Sequence, residues 1–270
     1  MTGAVPTIYE TLRDALRAAE PVALATVTQG PAVGGKLLVR PLGDAIGTLG
    51  DPELDRVVAR DTLAELEAGR TGTRHYGPQG QTLSEDEPDL TRLTIFIESF
   101  APPPTMVIFG AVDFTAALAK VAKVLGYRVI VCDARKVFAT TRRFPMADEV
   151  VVDWPDRLLA RVGAGLGRRD AVCVLTHDPK FDVPAIQGAL ATRVGYLGVM
   201  GSRKTHAKRL ERLAEVGVTG PDLARVHAPT GLDIGARTPE ETAVSICAEI
   251  IAARTGRVVP SLRSGEGPIH

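Results

Sequence analysis

Residues 106–133, MVIFGAVDFTAALAKVAKVLGYRVIVCD, hold two short apolar runs, MVIF and RVIVC, separated by a glycine turn and a stretch of helical composition. Neither run alternates with polar residues, so each is expected to be buried on both faces, as in a parallel sheet covered by helices. The pattern continues as EVVV (149–152), AVCVL (171–175) and GYLGVM (195–200), with helical stretches between the runs. This alternation predicts a doubly wound α/β unit. Its last helix is the best specified. Thr238 as N-cap, Pro239 next and Glu241 third make a capping box, followed by the stripe Ala243, Ile246, Cys247, Ile250 and Ile251.

Upstream, FAPPPT (100–105) contains three consecutive prolines, which neither continue a helix nor sit inside a sheet. That stretch is expected to divide a first domain, residues 1–100, from a second, residues 106–270. The first domain reads as α+β. Helical spacing over 8–20 ends at Pro21, and PVALATVT, GKLLVR and AIGTL are β-prone runs joined by turn residues, which suggests antiparallel hairpins. Asp51 is a candidate N-cap with Pro52 behind it, for a helix that closes at Gly69. TGTRHYGPQGQTLSEDEPD reads as a turn-rich excursion with a short edge strand, and LTIFIES as a buried strand.

Thirty-two basic residues are balanced by 32 acidic ones, so no global field would hold a nucleic acid or an anionic membrane, and any anion site must be local. Seven Phe, four Tyr and one Trp are too few for a base-stacking platform. Nucleic acid is not an expected partner. Cys132, Cys173 and Cys247 lie in apolar settings with no CxxC pair, which suits buried thiols in a reduced, cytoplasmic protein. MTGAVPTIYE lacks a signal core, and no run approaches the ~18 apolar residues of a membrane span.

In a doubly wound sheet the ligand lies beyond the carboxyl ends of the strands, so residues just after each strand carry the chemistry. After the first comes Gly110-Ala111-Val112-Asp113-Phe114-Thr115, which keeps only the first glycine of G-x-G-x-x-G. Val112 adds bulk where a diphosphate would lie. Asp113 is either a plain N-cap or a carboxylate that repels phosphate at the helix start. Asp133, 23 residues after Gly110, stands where such folds place the acid that binds a ribose hydroxyl; capping a local turn is the competing role. Thr176-His177-Asp178-Pro179 follows the fourth strand, next to the point where strand order reverses, and His177 serves either as a ligand contact or as a structural hydrogen bonder. No second His or Cys lies at metal-ligand spacing from it, so no metal site is expected. Gly201-Ser202-Arg203 opens a helix whose first-turn cations oppose its dipole, which points to a phosphate or carboxylate site, or otherwise to a solvated basic face. Gly231 and Asp233 belong to the loop HAPTGLDIG, whose glycines permit tight turns near a ligand.

VIFGAVDF, LGYRVIVCDAR, RRFPMADEVVV, VLTHDPKFD, YLGVMGSRKTHAKRLERL and HAPTGLDIGARTPEETAVSICAEI, in that order over residues 106–254, resemble the XdhC/CoxI family of accessory proteins to molybdenum hydroxylases. GKLLV and GTLG resemble its N-terminal domain more loosely. The resemblance implies a Rossmann-like second domain and a chain that binds the molybdenum cofactor (molybdopterin). It implies that the chain holds the cofactor while a cysteine desulfurase installs the sulfido ligand, delivers it to the apo-hydroxylase, and pairs as a homodimer. Ser202 and Arg203 would then take the phosphate, and Asp133, His177 or Asp233 the ring edges. Two departures from the family pattern stand out: Asp51-Pro52-Glu53 replaces paired glycines and a cysteine after GTLG, and Gly110-Ala111-Val112 replaces Gly-Ala-Gly. No triad of nucleophile, base and orienter can be assembled, which favours a chaperone over a catalyst. An NAD(P)-dependent oxidoreductase, suggested by Asp133, and a regulatory module that retains only the fold are the alternatives.

Overall fold

A computed structural model of the chain describes residues 7–77, 80–84 and 92–259, apart from the side chain of Arg203. Residues 78–79 and 85–91 of the turn-rich excursion lie outside the described residues. The chain forms two units, Met1–Pro102 and Pro103–His270.

In the first unit, α1 (Ile8–Arg17), β1 (Val22–Gln29), β2 (Lys36–Val39), β3 (Ile46–Thr48), α2 (Pro52–Ala68), β4 (Gly72–Tyr76), β5 (Thr82–Leu83) and β6 (Leu93–Phe100) follow one another. The strands form one antiparallel sheet in the order β3-β2-β1-β6-β4-β5. Alternation along β1 puts Val22 and Leu24 against Ala15 of α1, and Ala25 and Val27 with Leu54 and Val58 of α2, so each face carries one helix. α1 ends at Arg17 rather than reaching Glu20, because Ala19 turns to φ 53. The turn-rich excursion supplies the short edge strand expected of it, β5, and in addition β4, which lies inside the sheet between β6 and β5. At the start of α2, Asp51 accepts from the Leu54 N–H, and Asp55 accepts from the Leu49 N–H and the Thr48 hydroxyl. The junction after GTLG is thus built as a helix cap.

The second unit runs β7 (Thr105–Phe109), α3 (Asp113–Val124), β8 (Arg128–Cys132), β9 (Glu149–Val151), α4 (Pro155–Val162), β10 (Ala171–Val174), α5 (Pro179–Leu190), β11 (Tyr196–Val199), α6 (Arg203–Glu215), α7 (Gly220–Leu223), β12 (Val226–His227) and α8 (Pro239–Thr255). All neighbours in the order β12-β11-β10-β7-β8-β9 are parallel. The order reverses between β7 and β10, the topological switch point of a doubly wound sheet. Met106 and Ile108 face α3 and α8, while Val107 and Phe109 face α4, α5 and α6, which is why no polar residue interrupts the run. Thr238 and Glu241 form the capping box of α8.

One crossover departs from the expected alternation. Residues 133–148, between β8 and β9, form successive turns instead of a helix. Val137, Thr140, Thr141 and Pro145 are poor helix formers, and the Arg135 N–H is captured by the Asp133 carboxylate. Phe144, 2% exposed, fills the core on the α3 side.

Candidate binding cleft

A cleft of about 370 Å³ opens at the switch point. Its apolar walls come from Val112, Phe114, Leu175, Phe181 and Met200, and its polar groups from Arg135, Thr176, His177 and Asp178. Trp154, ahead of α4, stacks on Phe181 at 4.7 Å and 16°, which braces that wall. An open trough of about 570 Å³ on the first unit is lined by Glu65, Arg70 and Arg74, among others. Its two arginines are both paired with Glu65, so the trough offers no concentrated chemistry.

Gly110 ends β7 with φ +110, and a Cβ there would lie 2.6 Å from Thr176 Cγ2. Only glycine lets these two strand ends meet. Val112, not Asp113, is the N-cap of α3, with no side-chain cap. Asp113 is the first helical residue, 89% exposed on its side chain and 3.4 Å from Arg143 Nη2, so the N-cap reading shifts by one position. Asp133 is 1% exposed and turned inward. It accepts from the N–H groups of Ala111 at 2.8 Å and Arg135 at 2.9 Å, and from Arg135 Nε and Nη2 at 2.9 and 2.7 Å. Burial alone would raise its pKa, but these bonds outweigh burial and hold it below the usual carboxylate range. The carboxylate caps the turn and is not left open for a ribose hydroxyl.

His177 and Asp178 line the cleft, and Asp178 also caps α5 through the Lys180 N–H. Ser202 caps α6 by accepting from the Thr205 N–H at 3.1 Å, and Gly201 precedes it with φ +145. Neither is part of the cleft lining, although Met200, directly before them, is. Gly231 and Asp233 lie in the loop after β12, away from that lining. The Gly231 N–H donates to Glu249 Oε2 at 2.8 Å, and a Cβ on Gly231 would meet Ser245 Oγ at 2.5 Å. The structure therefore gathers Gly110, Asp133, His177 and Asp178 around the switch point, seats Gly231 against α8 and leaves Asp233 exposed in the loop between β12 and α8.

Several polar groups escape the sequence reading. Arg209 of α6, 3% exposed, donates through Nη2 to Asp182 Oδ2 at 2.8 Å and to the Met200 carbonyl at 3.0 Å. Asp182 of α5 also accepts from the Thr176 hydroxyl. Burial is the largest influence on Asp182 and pushes its carboxyl up despite these bonds. This network ties the ends of β10 and β11 together behind the cleft. The phase of α6 could have revealed it, since Arg209 sits one turn before the buried Leu213. Arg143 donates to the Ala111 carbonyl at 2.9 Å, and Arg135 lies over the Phe138 ring at 4.7 Å. All three cysteines are free and buried, with Cys132 and Cys247 pushed up to about 12 by burial. Among the described residues no three His, Cys, Asp or Glu side chains converge as a metal site, and no helix is long and apolar enough to cross a membrane.

The XdhC Rossmann domain model matches residues 106–250, more than half the chain, and the XdhC and CoxI family model matches residues 15–77. The chain belongs to the XdhC and CoxI family. A protein of Bacillus subtilis described as a probable xanthine dehydrogenase component is 36% identical to this XdhC-family chain over 160 residues, covering 59% of the chain and 46% of that protein. The molybdenum cofactor insertion chaperone PaoD of Escherichia coli is 29% identical over 196 residues, 71% of the chain and 54% of PaoD. The chain thus spans about half the length of the curated relatives it matches. A solved structure described as a xanthine dehydrogenase from Bacillus halodurans shares the fold, with a TM-score of 0.54 at 19% identity, covering 95% of this chain and 98% of that one.

Proposed function

We propose that this XdhC-family chain is an accessory protein that binds the molybdenum cofactor and inserts it into an apo-hydroxylase of the xanthine dehydrogenase or carbon monoxide dehydrogenase type. The observation that carries the reading is the switch-point cleft: apolar walls around a few polar groups, in a family with an insertion chaperone among the chain's relatives. The cofactor is cargo here, not a resident group. Phe114, Leu175 and Phe181 would bury its ring system, and His177 and Asp178 would meet its polar edges. Sulfuration of the bound cofactor by a cysteine desulfurase, pairing of two copies and a cytoplasmic setting belong to the same reading and rest on the family resemblance and the free thiols. An NAD(P)-dependent activity has less support, because Asp133 is already engaged by Ala111 and Arg135, and Val112 stands at the position of the fingerprint's second glycine.

The test is to load the purified chain with molybdopterin, measure its affinity and its lifetime against oxidation, and then add apo-hydroxylase. Binding that is weakened by His177→Ala, and hydroxylase activation that depends on the loaded chain, are expected. A chain that neither retains the cofactor nor speeds activation refutes the proposal.

A further inference from the structure

We infer that Arg135, clamped by Asp133, is the phosphate-recognising side chain of the cleft, an assignment that rests on the cargo reading above and names the subsite within it. In sheets with this strand order the acid ending the second strand ordinarily faces the ligand's ribose. Here it faces inward, and four hydrogen bonds saturate it, two of them from the Arg135 side chain. The clamp fixes the plane of the guanidinium, and Phe138 covers one face of that plane at 4.7 Å. Arg135 is nevertheless half exposed and lines the cleft. Its Nε and Nη2 are used by Asp133, and among the described residues Nη1 has no hydrogen-bond partner, so that edge is presented to whatever fills the cleft. A rigid planar fork with an open N–H edge is suited to phosphate oxygens.

The charges around this arginine are those of Asp133, Asp178 and Arg143, and Asp178 is a carboxylate of the cleft lining itself that acts on Arg135. Arg135 and Asp133 neutralise each other, so this pair supplies direction more than field. Arg143 sets a positive charge against that of Asp178. It lies against the same Phe138 ring at 5.6 Å and is fixed by the Ala111 carbonyl, beside Val112 of the cleft wall. Its acidic neighbour, Asp113, is a long, solvent-exposed contact at 3.4 Å that screens it weakly. Both arginines come from the helix-free crossover, and Arg135 is the one that lines the cleft. The ligand class is therefore a ring system that ends in a phosphoryl group. That group belongs either to a pterin or to a nucleotide, and the experiment separates the two.

Binding of molybdopterin, dephosphorylated molybdopterin, NADP+ and NAD+ to the full chain is measured for wild type, Arg135→Ala and Arg135→Lys. Because removing the arginine strands a buried carboxylate, the double variant D133N/R135M is included and folding is checked by circular dichroism. The phosphorylated pterin is expected to bind wild type roughly 10- to 100-fold better than the dephosphorylated one, with the preference lost in R135A and D133N/R135M and partly kept in R135K. If wild type binds the pterin but the variants keep the preference, the assignment of Arg135 falls and the cargo reading stands. If wild type binds no pterin yet prefers NADP+ to NAD+ through Arg135, the assignment stands and the cargo reading falls. If wild type binds neither class, both fall.

Discussion

Removing Arg209 should uncouple the wall of the cleft from the helices behind it. In Arg209→Met the bonds to Asp182 at 2.8 and 3.2 Å and to the Met200 carbonyl at 3.0 Å disappear, leaving Asp182 buried with only the Thr176 hydroxyl. Breaking one side of a buried ion pair costs about 3–5 kcal/mol. The lower end applies here, because the Asp182 carboxyl is already pushed up by burial and can escape by binding a proton. For a unit of this size, about 3 kcal/mol corresponds to a melting temperature lower by roughly 6–12 °C. A carboxyl whose folded pKa lies above its ordinary 3.8 contributes stability below that value and loses it as pH rises through the folded pKa. The deficit of R209M should therefore be larger at pH 8 than at pH 5. D182N/R209M, which removes both charges and keeps an acceptor for Thr176, should recover most of the loss. The sole tryptophan, Trp154, stacked on Phe181 next to Asp182, reports on this unit alone in a urea titration, which avoids mixing the two units in one transition. A loss under about 1 kcal/mol in R209M, or a double variant no more stable than the single one, would refute the reasoning.

Three further outcomes are expected. Gly110→Ala should destabilise the second unit by about 2 kcal/mol or more in the same titration, since φ +110 and a contact of 2.6 Å with Thr176 both oppose a Cβ. Burial raises the Glu249 carboxyl, but the His227 ring 3.6 Å away and the bonds from the Tyr196 hydroxyl and the Gly231 N–H outweigh burial and hold it below its ordinary 4.5. Its contribution is then complete above that pH and lost as pH falls through the folded value, so the stability advantage over Glu249→Gln should fade in acid titrations. Finally, a thiol reagent should label none of the three cysteines in the folded chain within minutes and all three in denaturant, because each is buried with its thiol pushed up.

Much of the second unit is legible because its apolar runs are uninterrupted, and the capping box of α8 has only local requirements. The crossover from Asp133 to Asp148 is not. Periodicity favours a helix between strands, and the outcome there depends on Asp133 capturing the backbone and side chain of Arg135 at short range. Glycine-fingerprint reasoning identifies Gly110 and the neighbourhood of His177, since both follow strands that meet at the reversal of strand order. It does not show that Asp133 faces inward, because an acid that reads a sugar and one that holds an arginine occupy the same sequence position. The phase of α6 marks Arg209 as inward, one turn before Leu213, but does not name what it meets. Its partner Asp182 lies 27 residues away, a separation that local pattern does not resolve. Gly231 and Asp233 share the glycine-rich composition of ligand loops, but here that composition serves the seat on Glu249 and Ser245.

Both sheets end on their shortest members. β12 has two residues and β9 three; in the first unit β5 has two and β3 three. A foreign strand laid along any of these margins would find only a few backbone donors and acceptors to zip onto. Along the described residues these margins are thus poor templates for edge addition, the route by which sheets grow into fibres.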